Sequence, residues 1–395
     1  MNCSFVLKLY DSLTREKKPF QPANGDARIY VCGITPYDVT HAGHAFLVVT
    51  FDVLRRYLEY RGQGVRHVQN LTDIDDDMVR KSRETGIPVF ELALTNDAIY
   101  QADLRALNVL PPHEYPRASE CVEKIQEIVA VLLERGSAYE DNGNVFFDVA
   151  SFPNYGRMSN ESTESLAKRP DIPLAGRGRA PLDFLLWQRV TEPDEPSWDS
   201  PWGLGRPGWH VECSAMCLQY LGDQVDIHGG GSDLIFPHHE SEIAQSESFT
   251  GAQPFVFNWL HVGMLRYEGE KMSKSLGNLV LVRHLLTRYP PEALRLYFGS
   301  MHYRASEEFS EGELARWGAV YRDRLLPALG IFDGDGDMDV QVYVRRFEAA
   351  IDDDLDTPTA LAVLDEMAGA VLSTGSPEGR AALQHLCALF GIETP

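Results

Sequence analysis

The sequence of 395 residues contains no apolar run that approaches 18 residues, so it predicts no membrane-spanning helix. Residues 1–11 lack a basic stretch followed by a long apolar core, which argues against a secretory signal. Cysteine is scarce, with 6 residues and no framework spacing. This scarcity favours a reducing cytoplasm over a disulfide-bonded extracellular setting.

Basic residues are also few, with 36 Lys and Arg against 58 Asp and Glu and a formal net charge of -22. Phosphate contacts supply most of the affinity of nucleic-acid-binding proteins, so this balance argues weakly against an extensive RNA-binding surface. A local basic patch can coexist with an acidic whole. The hydrophobic content of 44% is typical of a soluble globular protein, and the length predicts two or three domains.

The N-terminal part predicts an α/β fold. Residues 27–35 form a β-type apolar run, residues 44–60 have helical apolar spacing, and residues 65–71 read as the next strand. This order predicts a strand–helix–strand unit of a doubly wound parallel sheet with a right-handed crossover. Residues 224–231 and 257–265 read as later strands of that sheet.

The rest of the chain divides by composition. We predict a Rossmann-like catalytic domain in two halves, 1–90 and 204–280, around an inserted α/β segment at 91–203. A mostly helical region follows at 281–330. Residues 331–395 begin with a turn-rich stretch and read as a small helical bundle.

Two short motifs favour nucleotide chemistry. HAGH (41–44) follows an apolar strand, where glycine and the free N–H groups of a helix N-terminus suit a phosphate and the histidines can donate to its oxygens. KMSKS (271–275) places two lysines on a loop suited to holding pyrophosphate. Either motif alone could be a solvated surface feature. Together they predict an ATP-dependent, adenylate-forming enzyme whose catalytic and ATP-binding groups are His41, His44, Lys271 and Lys274.

A set of cysteine, histidine and glutamate residues predicts zinc. Cys32 lies near the end of the first long strand, and His238 and Glu242 are four apart on a predicted helix after Pro237. With Cys213 they offer four donors of the kind that zinc prefers. Scattered cysteines are more often core residues, and Cys217, one helical turn beyond Cys213, is the obvious false candidate. A thiolate-binding metal beside an ATP site suits the selection of cysteine over serine, which apolar contacts discriminate poorly.

At these residues the chain resembles the class I cysteinyl-tRNA synthetase family. The matching stretches cover nearly the whole chain: YVCGITPYD (30–38), HAGHAF (41–46), VQNLTDIDDDM (68–78), GRPGWHVECSAM (205–216), DIHGGGSDLIFPHHESEIAQSE (226–247) and KMSKSLGN (271–278). The resemblance implies one Zn²⁺ held by Cys32, Cys213, His238 and Glu242. It also implies contacts to bound cysteine from Thr35, Trp209 and Asp233, and an adenosine near Gly229, Gly230 and Gly231. The segment DLDTP (354–358) would belong to the family's helical domain.

Some features depart from that family. The chain ends where the family would add a small anticodon-reading domain, so we expect none. CGITPYD, HAGH and GNLVLV (277–282) look more like the short cysteine ligase of mycothiol biosynthesis, whereas Glu242 and DIHGGGSD look more like the synthetase. HAGH also resembles the motif of small nucleotidylyltransferases, but those are usually much shorter and lack the cysteine–histidine set.

Three functions therefore stay open. The first is a ligase that activates L-cysteine with ATP in the presence of Mg²⁺ and transfers the cysteine to the amine of a small amino sugar. The second is a compact cysteinyl-tRNA synthetase that transfers cysteine to tRNA-Cys. The third is a non-catalytic paralogue that binds cysteine or ATP. We expect the first, in the cytoplasm and with no membrane partner; the sequence identifies neither the acceptor nor the oligomeric state.

Overall fold

The structure is a computed structural model, and it describes residues 6–37, 39–169, 178–272, 277–330 and 334–393. Its strands are β1 (Lys8–Asp11), β2 (Glu16–Pro19), β3 (Ala27–Ile34), β4 (Val65–Leu71), β5 (Ala138–Asp141), β6 (Asn144–Phe147), β7 (Phe184–Arg189), β8 (Gly205–Pro207), β9 (Val225–Gly231), β10 (Val256–Val262), β11 (Leu265–Tyr267), β12 (Glu270–Lys271) and β13 (Glu307–Glu308).

The α-helices are α1 (Ala42–Tyr60), α2 (Asp76–Thr85), α3 (Val89–Ala106), α4 (Val122–Glu134), α5 (Thr163–Leu166), α6 (Trp209–Leu221), α7 (Glu240–Thr250), α8 (Val282–Leu286), α9 (Pro291–Gly299), α10 (Glu311–Val320), α11 (Leu326–Leu329), α12 (Val340–Asp352), α13 (Thr357–Thr374) and α14 (Pro377–Leu389). One-turn helices at Ser232–Leu234 and Ile235–His239 connect β9 to α7.

The central sheet has the strand order β10-β9-β3-β4, and all of its pairs are parallel. The predicted β3–α1–β4 unit is confirmed, and the apolar positions predicted for its helix are buried: Phe46, Val49, Val53, Leu54, Tyr57 and Leu58. Because β3 has β4 on one side and the much later β9 on the other, the strand order reverses beside it. Ligands of such sheets bind at the carboxyl ends of strands next to this reversal.

A register irregularity in β3 shapes the strand where Cys32 lies. The pairing with β4 shifts between Val31 and Ile34, and a side chain at Gly33 would lie only 1.6 Å from the carbonyl oxygen of Asn70. The Gly33 amide donates to the Asn70 side chain at 2.9 Å. Glycine is therefore required here by the close approach of two backbones, and Cys32 borders the crevice as a result.

The part between α3 and α6 contains a second, antiparallel sheet of order β5-β6-β7-β8. Its buried face shares one hydrophobic cluster with the underside of the central sheet, including Tyr30 and Val68 from the sheet and Phe147 and Trp187 from the second sheet. This shared core fixes the inserted sheet against the strands that carry Cys32.

The last third of the chain is mostly helical, as predicted, and α12, α13 and α14 pack together. One hydrophobic cluster runs from α1, through α9, into these three helices. In the part of the chain that the structure describes, no helix is both long enough and apolar enough to cross a membrane.

Candidate active site and metal centre

A cavity of about 690 Å³ opens at the carboxyl ends of β3 and β9. Residues predicted from five separate stretches of sequence line it: Cys32, Thr35, His41, His44, Trp209, Cys213, Gly231, Asp233, His238 and Lys271. Glu242 lies behind this lining and is fully buried. Lys274 lies outside the described residues. The fold therefore brings the candidate metal donors and the candidate ATP groups to one cavity.

The four candidate metal donors converge. The atoms that Cys32, Cys213, His238 and Glu242 would offer all lie within 4.8 Å of one another. The two sulfurs are 4.0 Å apart, and Glu242 Oε1 lies 3.8 Å from Cys32 Sγ and 3.1 Å from His238 Nε2. A tetrahedral ion with Zn–S bonds of about 2.3 Å separates two sulfurs by about 3.8 Å. The donor types and their spacing thus fit a single Zn²⁺.

Electrostatics within this set favour its charged forms. The contact with Cys32, helped by His238, lowers the pKa of Cys213 to about 6 against the effect of burial. Burial would lower the pKa of His238, but Cys213 and Glu242 raise it to about 10. Burial would raise the pKa of Glu242, yet His228 and His238 lower it to about 2. The Cys213 thiolate and the Glu242 carboxylate are both buried. A divalent metal bound between them would compensate their negative charge.

Histidines behind the donor set were missed in the sequence analysis. His228 Nε2 and His239 Nε2 lie 3.5 and 3.3 Å from Cys32 Sγ, and His228 Nε2 lies 3.5 Å from Glu242 Oε1. His239 Nδ1 is 2.7 Å from His261 Nε2. With Cys32 and Glu242, His228 and His239 make a second group able to hold a metal.

Both groups reach the cavity through Cys32, but only the first has two further members that line it, Cys213 and His238, whereas His228 and His239 do not. The sequence does contain a pattern that could have indicated these histidines. His228 and His261 sit on adjacent parallel strands with apolar neighbours, and polar residues buried in a sheet need partners.

The two histidines of the HAGH motif stack on each other with ring centroids 3.7 Å apart. His41 precedes α1, and its Nδ1 accepts from the Gly43 amide at 3.1 Å, which caps the helix. His44 is buried from solvent at Nδ1, and burial followed by the charges of His41 and Lys271 lowers its pKa well below the usual range. Both rings border the cavity at a helix N-terminus, where anions are favoured.

The glycines after His228 play different parts in the wall. A side chain at Gly229 would overlap the ring of Phe51 at 1.9 Å, and one at Gly230 would meet Leu234 at 2.8 Å. Gly231 borders the cavity, whereas Gly229 and Gly230 do not. The first two glycines therefore allow α1 and the turn after β9 to pack closely against the strand.

The residues expected to contact cysteine border the metal donors. Thr35 donates its hydroxyl proton to Asp75 Oδ2 at 3.0 Å, and Asp75 also caps α2 by accepting from the Met78 amide. The Trp209 ring stacks on His238 with centroids 4.4 Å apart. Asp233 Oδ2 lies 2.6 Å from Lys271 Nζ. Asp75 was not singled out in the sequence analysis, although it lines the same cavity.

The chain is similar to known proteins over nearly its whole length. Residues 19–318 match the family described as the tRNA synthetases class I (C) catalytic domain, and residues 346–392 match the DALR domain. The chain is 44% identical over 391 residues to a protein named cysteine–tRNA ligase from Legionella pneumophila (strain Paris). The aligned region covers 98% of this chain and 85% of that relative. It is 46% identical over 393 residues to the protein of the same name from Thioalkalivibrio sulfidiphilus, covering 98% and 84%.

Solved structures match the fold at low identity. The Mycobacterium tuberculosis methionyl-tRNA synthetase in complex with methionyl-adenylate matches with a TM-score of 0.65 and 16% identity, over 93% of this chain and 90% of that one. The leucyl enzyme of the Agrobacterium radiobacter K84 LeuRS-tRNA-LeuAMS complex matches with a TM-score of 0.66 and 12% identity, over 95% and 85%. These likenesses support the Rossmann-like architecture. The family match over 19–318 and the identities above show that the chain belongs to the class I tRNA synthetases, in the family of the class I (C) catalytic domain.

Proposed function

We propose that the protein is a cysteine–tRNA ligase that forms cysteinyl-adenylate from L-cysteine and ATP and then transfers cysteine to tRNA-Cys. The observation that carries the proposal is the opening of a two-cysteine metal donor set into the same cavity as His41 and His44. The names and identities of the relatives support the same assignment.

In the first step a carboxylate oxygen of cysteine attacks the α-phosphorus of ATP, and the bond to the β-phosphate breaks to release pyrophosphate. His41 and His44 would donate to phosphate oxygens at the N-terminus of α1. Lys271 and Lys274 would hold the leaving pyrophosphate together with Mg²⁺. Gly229, Gly230 and Gly231 would lie on the adenosine side, with Gly231 nearest to the cavity.

Selection of cysteine would rest on the metal centre. Cys32, Cys213, His238 and Glu242 would hold Zn²⁺, which supplies direct affinity for a thiolate over a hydroxyl. Trp209 would pack over the bound amino acid from its position on His238, and Thr35 would be oriented towards it by Asp75. Asp233 would accept the α-ammonium group. Apolar contacts alone discriminate such small differences poorly, so the metal held by these residues would supply the specificity.

The acceptor is the point where the comparisons change the sequence-based expectation. The motifs that resemble the mycothiol ligase predict an amino sugar as the acceptor. The relatives reported above are named cysteine–tRNA ligase, and they align with 98% of this chain. They therefore favour the compact cysteinyl-tRNA synthetase and give no support to an amino-sugar acceptor. We therefore assign tRNA-Cys as the acceptor. The cytoplasmic location remains a prediction.

Two measurements test the proposal in order. Cysteine-dependent exchange of labelled pyrophosphate into ATP reports on the first step, and serine serves as the matched control amino acid. Labelled cysteine and ATP are then supplied with total tRNA in one reaction and with glucosaminyl-inositol in another. We expect label on tRNA only. Label on the amino sugar would reverse the assignment, and a lack of exchange in zinc-replete protein would favour the non-catalytic paralogue.

A further inference from the structure

One ion pair joins the two halves of the cavity. Lys271 Nζ lies 2.6 Å from Asp233 Oδ2, and both residues line the cavity. Asp233 belongs to the one-turn helix that follows β9, and Lys271 ends β12. Their side chains keep 42% and 58% of their exposure, so both groups can exchange partners with solutes that enter the cavity. The carboxylate on the amino-acid side is thus paired with a lysine on the nucleotide side.

The other acidic groups that line this cavity are occupied differently. Asp75 accepts from the Thr35 hydroxyl and caps α2. Asp76 contacts the buried Arg206, and Asp77 pairs with Arg80 on the same helix. Asp233 alone among these four lies on the segment that runs from β9 to His238. The contact proposed above between Asp233 and the α-ammonium group of cysteine therefore falls on the segment that also carries the candidate metal donor His238.

We propose that Asp233 couples the binding of the two substrates by exchanging one cation for another. In the free protein Asp233 holds Lys271. When cysteine binds, its α-ammonium replaces the lysine on the carboxylate, and the charge of Lys271 becomes available to the phosphates of ATP. Each cation carries one positive charge, so the charge balance at Asp233 is conserved. This inference rests on the proposed function and adds a role to it, namely an amino acid-dependent supply of a phosphate-binding cation.

The strength of the pair sets the size of the effect. Ion pairs between partly exposed groups are weak, so releasing Lys271 should tighten ATP binding by about two- to fivefold. Binding free energies are reciprocal, so ATP must tighten the binding of the amino acid by the same factor. The effect should shrink at high salt, because exposed charges are screened.

Calorimetric titration of the zinc-loaded protein with ATP and Mg²⁺ provides the test. Cysteinol carries the thiol and the ammonium group but lacks the carboxylate, so it cannot form an adenylate. We expect saturating cysteinol to lower the dissociation constant of ATP by about two- to fivefold. 3-Mercaptopropan-1-ol, which lacks the ammonium group, should leave it unchanged. Failure of cysteinol to bind at all would count against the proposed function. Binding of cysteinol without any change in ATP affinity would overturn the coupling alone.

A pair of variants separates the exchange from a general charge effect. Asp233→Asn should bind ATP about two- to fivefold more tightly than the wild type with no cysteinol present, because Lys271 is already released. Glu270→Gln removes the same charge from the exposed residue next to Lys271, and it should leave the response to cysteinol intact. Weaker ATP binding by Asp233→Asn would mean that the carboxylate holds Lys271 in its ATP-binding position. An equal gain in ATP affinity in the two variants would mean that the effect comes from the change in net charge alone. Either outcome would overturn the proposal.

Discussion

Two cysteines one helical turn apart on α6 have different environments. Cys213 lines the cavity with its sulfur 4.0 Å from that of Cys32. Cys217 is fully buried in the hydrophobic cluster beneath the sheet, and burial, followed by the charge of Glu242, raises its pKa well above the usual range. Only the first of these sulfurs is placed to serve as a thiolate ligand. The spacing in the sequence could not separate the two, because both lie on the same face of the helix.

We expect Cys213→Ala to lose zinc and to lower cysteine-dependent pyrophosphate exchange by at least about 100-fold, since even residues that only support a metal ligand are worth 10–100-fold. Cys217→Ala should retain one zinc per chain and near-normal exchange, with a stability loss of about 1 kcal/mol. Metal analysis of the purified variants, the exchange assay and urea unfolding make the comparison. Loss of zinc from Cys217→Ala with retention in Cys213→Ala would refute the ligand assignment.

Asp75, which accepts a hydrogen bond from the Thr35 hydroxyl, makes the stability of the folded protein depend on pH. Burial raises the pKa of this carboxyl from 3.8 to about 6, and the nearby Asp77 and Asp76 add to the effect of burial. Between these two values the unfolded chain ionises first, so the folded state loses stability as the pH rises towards 6. Above the folded pKa both states are ionised and the loss is complete.

The variant Asp75→Asn removes this titration, while its side-chain oxygen can still cap α2. We therefore expect wild-type stability, measured relative to Asp75→Asn, to fall by about 1–2 kcal/mol between pH 4.5 and pH 7. Urea unfolding of both proteins at the two pH values measures the difference, in which other titrations cancel. Asp77→Asn removes one of the charges that add to the shift of Asp75, so the stability of this variant should fall less over the same pH range. The prediction would be wrong if the free energy of unfolding of the wild type, relative to that of Asp75→Asn, rose between pH 4.5 and pH 7.

At the scale of secondary-structure elements, α7 carries Glu242 and is held by the inserted segment. Ser159 donates to Glu240 Oε2 through its amide at 2.9 Å and its hydroxyl at 2.8 Å. Tyr155 and Ser241 share a hydrogen bond of 3.0 Å. Glu240 and Ser241 begin the helix, and both are fully buried. The loop around Ser159 therefore fixes the end of the helix that carries the candidate metal donor Glu242.

Ser159→Ala should raise the Michaelis constant for cysteine several-fold and speed the loss of zinc to a chelator, with kcat within about twofold. Because a hydrogen bond to a buried carboxylate is lost, stability should fall by about 1.5–3 kcal/mol. Ser159→Thr, which keeps the hydroxyl, should restore both properties. The matched control is Ser162→Ala, which removes the cap of α5 at a cost of about 1 kcal/mol but lies outside the contact with α7. Equal zinc loss in both alanine variants would reduce the role of Ser159 to general stability.

The elements that a sequence pattern predicts well here are those with a simple period. The helical spacing of residues 44–60 and the apolar run before it gave α1 and β3 nearly to the residue. The four candidate metal donors were selected by residue type, and the structure brings the atoms that they would offer within 4.8 Å of one another. The contact of Ser159 with Glu240 was not predictable, because it joins residues 81 apart through a loop with no periodic pattern. The requirement for glycine at positions 33 and 229 was also not predictable from the sequence. It arises from close contact with the Asn70 backbone and the Phe51 ring, which are distant in sequence.

At the scale of the whole molecule, the buried Arg295 connects the end of the C-terminal helices to α1 of the sheet domain. Arg295 on α9 is fully buried and donates to Asp52 on α1 at 2.5 Å. Its guanidinium also donates to the backbone carbonyl of Leu107, at 3.0 Å, and to that of Phe390 at the end of α14. One hydrophobic cluster surrounds all of these elements. The helices after α9 therefore share their core with the sheet domain, which the sequence could not reveal from local composition.

This shared core predicts that the two parts unfold together. Arg295→Met should lower the free energy of unfolding by about 3 kcal/mol, the low end of the cost of removing one partner from a buried pair. The low end applies because Arg56 still pairs with Asp52 at 2.8 Å. Arg346→Met, in an exposed pair with Glu366, should cost less than about 1 kcal/mol.

All six tryptophans lie before residue 320, so tryptophan fluorescence reports on the part that precedes the last three helices, whereas far-ultraviolet circular dichroism reports on helices throughout. In the wild type the two signals should follow one urea transition, because one hydrophobic cluster of the described residues joins α1 and α9 to the last three helices. An earlier loss of helical signal at unchanged fluorescence would mean that α12, α13 and α14 unfold independently. In that case Arg295 would stabilise an interface between two units, and its substitution should widen the gap between the two transitions.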